Sequence, residues 1–383
     1  MSARTMQRRM SARTMQREIE ASIGGRVLEM GTKLSLKKSK LIKKKVYLPK
    51  SKIYMNYLER EPIHDTSYDN YFDTTNRPTI LFCHGLGQGS VELALFIASL
   101  KIPPHIRILC PDQIGHGEDL ERALNDPQHF QQPTNESMME STSEFLDVVK
   151  VGNNCNAFGH SMGGGIVYFL RQKRKDIIKR TVLVSPAIVS CLDDDLIRGI
   201  MQGTNKLIAF ESREDVKLAI RDMSTGRNRC KERKKKDPVP NFLLESVYRK
   251  AISEAPEGHR KELMHSLLTS FGVSQSGSMN HIDNFFGTES DIDQESTRLV
   301  IWPEKDVICS YEKGEYFFKD SIIIKDDTDV RDKKSFHKDI ATEFVTIPDC
   351  GHAIHSDGRF LFNIIRPRVR EYLLEFSSSN NDF

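Results

Sequence analysis

The residues of this chain best able to do chemistry stand at 159–163, Gly159-His160-Ser161-Met162-Gly163. A serine between two glycines at this spacing, directly after the apolar run Cys155-Asn156-Ala157-Phe158 and before a helical stretch 162–172, suits a nucleophile on a tight strand-to-helix turn. Such a turn holds the serine in strained dihedrals with its hydroxyl exposed, and its neighbours have no room for side chains. The free N–H groups and positive dipole end of the following helix favour an oxyanion. The chemistry expected is acyl transfer through Ser161.

A serine hydroxyl needs a base, and the base needs an orienting acid. Two later segments offer them. Ile301-Trp302-Pro303-Glu304-Lys305-Asp306 and Asp349-Cys350-Gly351-His352 each follow an apolar strand, so Asp306 and His352 are expected at the same sheet edge as Ser161. Glu304 is the rival acid, and Asp349 lies too close in sequence to His352 to face it. A second small-residue turn, His84-Gly85-Leu86-Gly87, lets backbone approach a substrate carbonyl; the N–H groups of Leu86 and Met162 are the expected oxyanion donors. The pair Asp112 and His116 in Asp112-Gln113-Ile114-Gly115-His116-Gly117 reads as holding the loop beside the site together, His160 as a packing and hydrogen-bonding residue, and His84 as structural.

These segments need a frame. Residues 41–58 alternate apolar and polar around Pro49-Lys50-Ser51, which predicts an antiparallel hairpin. Continuous apolar strands are expected at 79–83, 106–110, 155–158, 181–185, 298–302 and 343–347, with helices over 91–100, 136–151, 162–172 and 358–376. Short apolar strands alternating with helices imply an α/β architecture: a mostly parallel, eight-stranded sheet with helices on both faces and ligands at the carboxyl ends of the strands. Residues 190–295 break the rhythm with helices expected at 193–201, 214–222, 241–251 and 258–269 and a basic loop at 226–237. The division expected is a leader at 1–40, a core in two parts at 41–189 and 296–377 around a helical cap at 190–295, and a tail at 378–383. The charged stretch 325–340 reads as a surface loop.

Composition limits the partners. The chain of 383 residues carries a net charge of +3, but residues 1–52 hold 15 Lys/Arg against 3 Asp/Glu. The first 18 residues repeat with period nine, MSARTMQRR then MSARTMQRE. The leader is expected to lack structure, with three functional readings: mitochondrial presequence, basic membrane-contacting arm or regulatory tail. No apolar run reaches the length of a membrane span, and no zinc-finger or RNA-binding motif points to nucleic acid. Seven scattered cysteines without a CxxC pair imply no zinc site and a reducing compartment. The localisation expected is cytoplasmic or peripheral to a membrane, with mitochondrial import as the leader's alternative.

Taken in order, HGLG at 84–87, DQIGHG at 112–117, GHSMGG at 159–164, WPEKD at 302–306 and CGH at 350–352 resemble the α/β-hydrolase superfamily over residues 41–376. GHSMGG together with a helical cap is similar to the monoacylglycerol lipase branch. The resemblance implies Ser161 as nucleophile, Asp306 as acid, His352 as base, Leu86 and Met162 as oxyanion donors, a small-molecule or lipid ester as substrate, and neither metal nor organic cofactor. Three departures accompany it: Pro303 stands where the family usually has glycine, the interval from Asp306 to His352 is longer than usual, and the leader lies outside the pattern. Other functions open to the same scaffold are hydrolysis of C–C bonds or small amides, and ligand binding with little turnover.

Overall fold

A computed structural model describes residues 3–62, 77–117, 132–205, 207, 212–225, 243, 245–249, 259–274, 276–277, 297–318, 322–324, 342–353 and 365–376. The basic loop 226–237, the surface loop 325–340, the tail and parts of the helices expected at 241–251 and 358–376 fall outside these residues.

Strands β1 (Ile42–Leu48) and β2 (Ile53–Arg60) form the expected hairpin, with Leu48 paired to Ile53. The parallel strands follow: β3 (Thr79–Cys83), β4 (Arg107–Pro111), β5 (Cys155–His160), β6 (Ile178–Val184), β7 (Thr297–Pro303), β8 (Ile322–Ile324) and β9 (Thr342–Ile347). Together they make one sheet in the order β1-β2-β4-β3-β5-β6-β7-β9-β8. Hydrogen bonding is antiparallel from β1 through β2 to β4 and parallel thereafter. The eight expected strands are all present. The ninth, β8, is a three-residue edge strand whose shortness hid it among the polar residues around it.

The parallel strands are buried on both faces, which is why they read as unbroken apolar runs. Alternation of period two sends Ile80 and Phe82 into one core cluster, Leu81 and Cys83 into the other. Helix α2 (Ser90–Ser99) covers the first face; α3 (Asn135–Val148) and α4 (Met162–Lys173) cover the second. Between β6 and β7 lie α5 (Asp194–Met201), α6 (Arg213–Thr225) and α7 (His259–Ser270), in the region expected to form the cap. Helix α8 (Tyr311–Phe318), which the sequence did not suggest, follows β7, and α9 (Arg366–Leu374) closes the fold.

The leader differs from expectation. Residues 3–39 form a helix, α1 (Ala3–Ser39), that packs on α2. Its body-facing side buries the small groups Gly24, Ser35 and Ser39 and adds Leu36, which packs against the core. The small groups carry little hydrophobic signal, so a packed helix there looked like an unstructured tail.

Candidate active site

The turn at Ser161 is built by steric exclusion. Ser161 has φ 54° and ψ −122°, a backbone conformation that L-residues with a side chain rarely adopt. It is held there by its N–H, which donates to Val184 O at 2.9 Å, and by its carbonyl, which accepts from Gly165 N and Ala187 N. The two glycines flanking the motif are obligatory. A Cβ on Gly159 would lie 2.2 Å from Gly163 O, and one on Gly163 would lie 2.3 Å from Cys83 O. The last contact presses the serine turn against the end of β3, where the 84–87 turn begins.

β7 and β9 are paired neighbours, with Pro303 opposite Ile347, so the segments that follow them emerge side by side. This register brings Asp306 to His352. Asp306 Oδ2 accepts a hydrogen bond from His352 Nδ1 at 2.8 Å, and the carboxylate is fixed in turn by Ile308 N at 2.8 Å and Cys309 N at 2.9 Å on Oδ1. On the other side of the ring, Ser161 Oγ donates to His352 Nε2 at 2.8 Å. Ser161, His352 and the Asp306 side chain are buried. Three side chains from separate parts of the chain thus form one hydrogen-bonded line, with the imidazole tautomer set by the carboxylate.

The rival acids are occupied elsewhere. Glu304 accepts from Asp349 N, and Asp349 pairs with Lys305 Nζ at 2.5 Å. The departure at Pro303 does not disturb the site, because Glu304 N and Lys305 N still bond across to Ile347 O and Cys350 O at 2.9 Å each.

The other histidines hold loops, as the sequence suggested. His84 Nε2 accepts from Gln113 N at 3.0 Å while its Nδ1 bonds Gly85 O, so one ring ties the 84–87 turn to the 112–117 loop. Asp112 accepts from Ser90 N at the start of α2. His116 bonds Ile114 O within its own loop. His160 contacts the site through the backbone of His352, a hydrogen bond of the kind expected for it.

Leu86 and Met162 line the same cavity as Ser161. Met162 is the first residue of α4, where a helix leaves its N–H without an intrahelical partner. Cys309 Sγ also lies within 4.8 Å of the Asp306 and His352 ligand atoms. Burial pushes its thiol well above the ordinary range, and its Sγ donates to Ser185 O, so it stands as a neutral group beside the acid.

A cavity of about 380 Å³ opens from Ser161, roofed by α5, α6 and α7. Its wall is Met139, Ile166 and Phe169 on the core side and Leu196, Ile220 and Leu267 on the roof; no Asp, Glu, Lys or Arg is among the described lining residues. Sequence reasoning named no substrate-binding residue, since the roof is assembled from helices whose mutual placement the sequence did not specify. α7 is fastened to α3 by Asn135 Nδ2, which donates to Leu267 O and Ser270 Oγ at 2.8 Å each, and by Ser266 Oγ to Pro133 O.

Residues 74–239, less than half of the chain, match the family described as serine aminopeptidase, S33. Solved structures share the fold at low identity. A bacterial membrane phospholipase A superposes with a TM-score of 0.64 at 15% identity, over 97% of this chain and 98% of its own. A meta-cleavage product hydrolase from Pseudomonas fluorescens gives 0.55 at 14%, over 86% and 96%. Carboxylesterase CesB from Bacillus subtilis gives 0.54 at 13%, over 92% and 98%. No curated protein matches the chain. By its sheet order and these structural relatives, the chain has the α/β-hydrolase fold, and the segment 74–239 resembles the serine aminopeptidase family within it.

Proposed function

We propose that this serine hydrolase cleaves carboxylic esters of lipids, with a monoacylglycerol as the reference substrate, and that residues 190–295 act as a cap over the acyl chain. The observation that carries the reading is the largely apolar cavity of about 380 Å³ that Ser161 lines, with no Asp, Glu, Lys or Arg among its described lining residues. Its size falls within the roughly 300–1,000 Å³ of small-molecule sites. An alkyl chain can enter such a space and release water from its walls, with no polar group left unpaired. A peptide bearing a free amino terminus would bring a cation to walls that offer no carboxylate among the described lining residues, which disfavours an aminopeptidase reading.

The chemistry follows from the hydrogen-bonded line. His352 Nε2 takes the proton of Ser161 Oγ as the oxygen attacks the ester carbonyl. The imidazolium is stabilised by Asp306, and the carbonyl oxygen becomes an oxyanion facing the N–H groups of Leu86 and Met162. Collapse breaks the C–O bond to the alcohol, which leaves with the proton from His352. Water then attacks the acyl-enzyme, giving its proton to His352; Ser161 recovers that proton as the carboxylic acid departs. Asp306, bonded to two backbone amides as well as to His352, keeps the imidazole oriented throughout.

The test is a series of p-nitrophenyl esters of rising acyl length, with a monoacylglycerol and a peptide amide beside them. kcat/KM is expected to climb with length by up to about fourfold per methylene until the cavity is full. A flat profile, or faster turnover of the amide, would overturn the lipid-ester assignment.

A further inference from the structure

Helix α1 presents two faces. One is body-facing: Gly24, Ser35 and Ser39 are buried, and a Cβ on Gly25 would lie 3.7 Å from Ser246 Oγ in the cap region. The other carries Ile23, Val27, Met30 and Leu34, which are 50%, 42%, 60% and 58% exposed. Their spacing of four, three and four residues sets them in a single stripe along the helix. A stripe of large aliphatic side chains costs free energy when left in water, and it is too narrow for a core.

The charge beside the stripe selects what covers it. Arg26, Lys37, Lys38 and Lys40 are exposed, and of the acids described between residues 21 and 45 there is only Glu29, already paired with Lys33 at 2.6 Å. A second copy seated on the stripe would bring two basic rims together, which like-charge repulsion opposes. Nucleic acid would satisfy the cations and leave the aliphatic groups wet. An anionic lipid surface satisfies both, since acyl tails take the stripe and headgroups take the cations. Spanning is a different matter: no helix among the described residues is long and apolar enough to cross a membrane, and the opposite side of α1 is occupied by the body.

We propose that α1 lies flat on an anionic membrane surface, with Ile23, Val27, Met30 and Leu34 inserted below the headgroups. The contact reaches the cavity by a short route, because Val247, next to Ser246, is one of its lining residues. This proposal concerns binding and stands apart from the ester reading, so each can fail alone.

The experiment is co-sedimentation of the full chain with vesicles of equal parts phosphatidylcholine and phosphatidylserine, and with vesicles of phosphatidylcholine alone. Wild type is expected to pellet with the anionic vesicles and to bind the neutral ones about a hundredfold more weakly. Substituting Ile23→Gln, Val27→Gln, Met30→Gln and Leu34→Gln together is expected to lower affinity for anionic vesicles by about a hundredfold. Arg26→Gln with Lys37→Gln and Lys38→Gln is expected to remove the preference for phosphatidylserine. An unchanged melting temperature establishes that each variant is folded; should the fourfold variant melt early, Met30→Gln with Leu34→Gln, the two most exposed positions of the stripe, replaces it and is expected to lose about tenfold. Failure of wild type to pellet, or equal pelleting by the apolar variant, overturns the proposal. So does light scattering that finds wild type dimeric and the variant monomeric, which would assign the stripe to a second copy.

Discussion

His160 Nε2 donates to the backbone carbonyl of His352 at 3.1 Å, with the two rings 5.1 Å apart. The residue before Ser161 therefore holds His352 in position, and it does so through main chain. His160→Leu keeps a bulky group but loses the donor. It is expected to lower kcat by about tenfold to a hundredfold with little change in KM, as misplacement of a catalytic group does. A shift in KM of the same size in steady-state kinetics would instead indicate a damaged cavity.

Asp306→Asn should cost about ten-thousandfold in kcat, because the amide can present its N–H to Nδ1 and leave the wrong nitrogen protonated. Glu304→Gln, at a group that accepts only from Asp349 N, should cost less than about tenfold. Stopped-flow assay of both variants on one ester decides which carboxylate orients the base.

Ser161 stores strain in its φ of 54° and ψ of −122°. Ser161→Ala keeps that strain and should lose essentially all ester turnover, leaving only the residual rate that oxyanion donors and binding provide. Ser161→Gly should be equally inactive but melt higher, by about 1 °C for a gain of about 1 kcal/mol. Differential scanning calorimetry of the pair checks the sign.

The hairpin turn is clamped to α3 by Glu144, which accepts from Lys50 N at 2.5 Å, Ser51 N at 2.8 Å and Ser51 Oγ at 2.6 Å. Burial works to raise its pKa, but these donors outweigh it and hold the carboxyl below its ordinary value. A depressed folded-state pKa gives stability that is present above the unfolded value and lost as pH falls through the folded one. Glu144→Gln should therefore destabilise at neutral pH and narrow its deficit in acid. Urea melts across that range test it, and a pH-independent difference would contradict the assignment.

Asn135 ties the roof to the core, so Asn135→Ala should raise KM for long-chain esters several-fold while leaving short esters nearly unchanged. Equal effects on both would place the loss in the reacting centre.

What the sequence made legible was chemistry fixed by local covalent order. The strand, turn and helix around Ser161 demand glycine at 159 and 163 for reasons of space alone, and the segments after β7 and β9 must lie side by side once those strands pair. Between Asp306 and Glu304 the sequence preferred the first but left the second as its rival. What stayed hidden depends on contacts between distant parts. Among its described residues α1 buries Gly24, Ser35 and Ser39, small groups with little hydrophobic signal beside the core contact of Leu36, and so it concealed both its packing and its aliphatic stripe. α8 and the three residues of β8 sit beyond the acid turn, where Trp302 lies against Gly314 so closely that a Cβ there would come within 2.5 Å of its ring. No periodicity announces such a fit.

β6 and β7 run parallel, so the segment bearing the helices over the cavity leaves the sheet at Val184 and crosses back to Thr297, which pairs with Arg180 at the other end of the same ladder. An excursion that lies wholly outside the ladder can be lengthened, shortened or exchanged without altering the register beneath it. Grafts of this segment between relatives should thus transplant chain-length taste while the reacting atoms keep their places, which makes it the natural unit for recombination by evolution or by engineers.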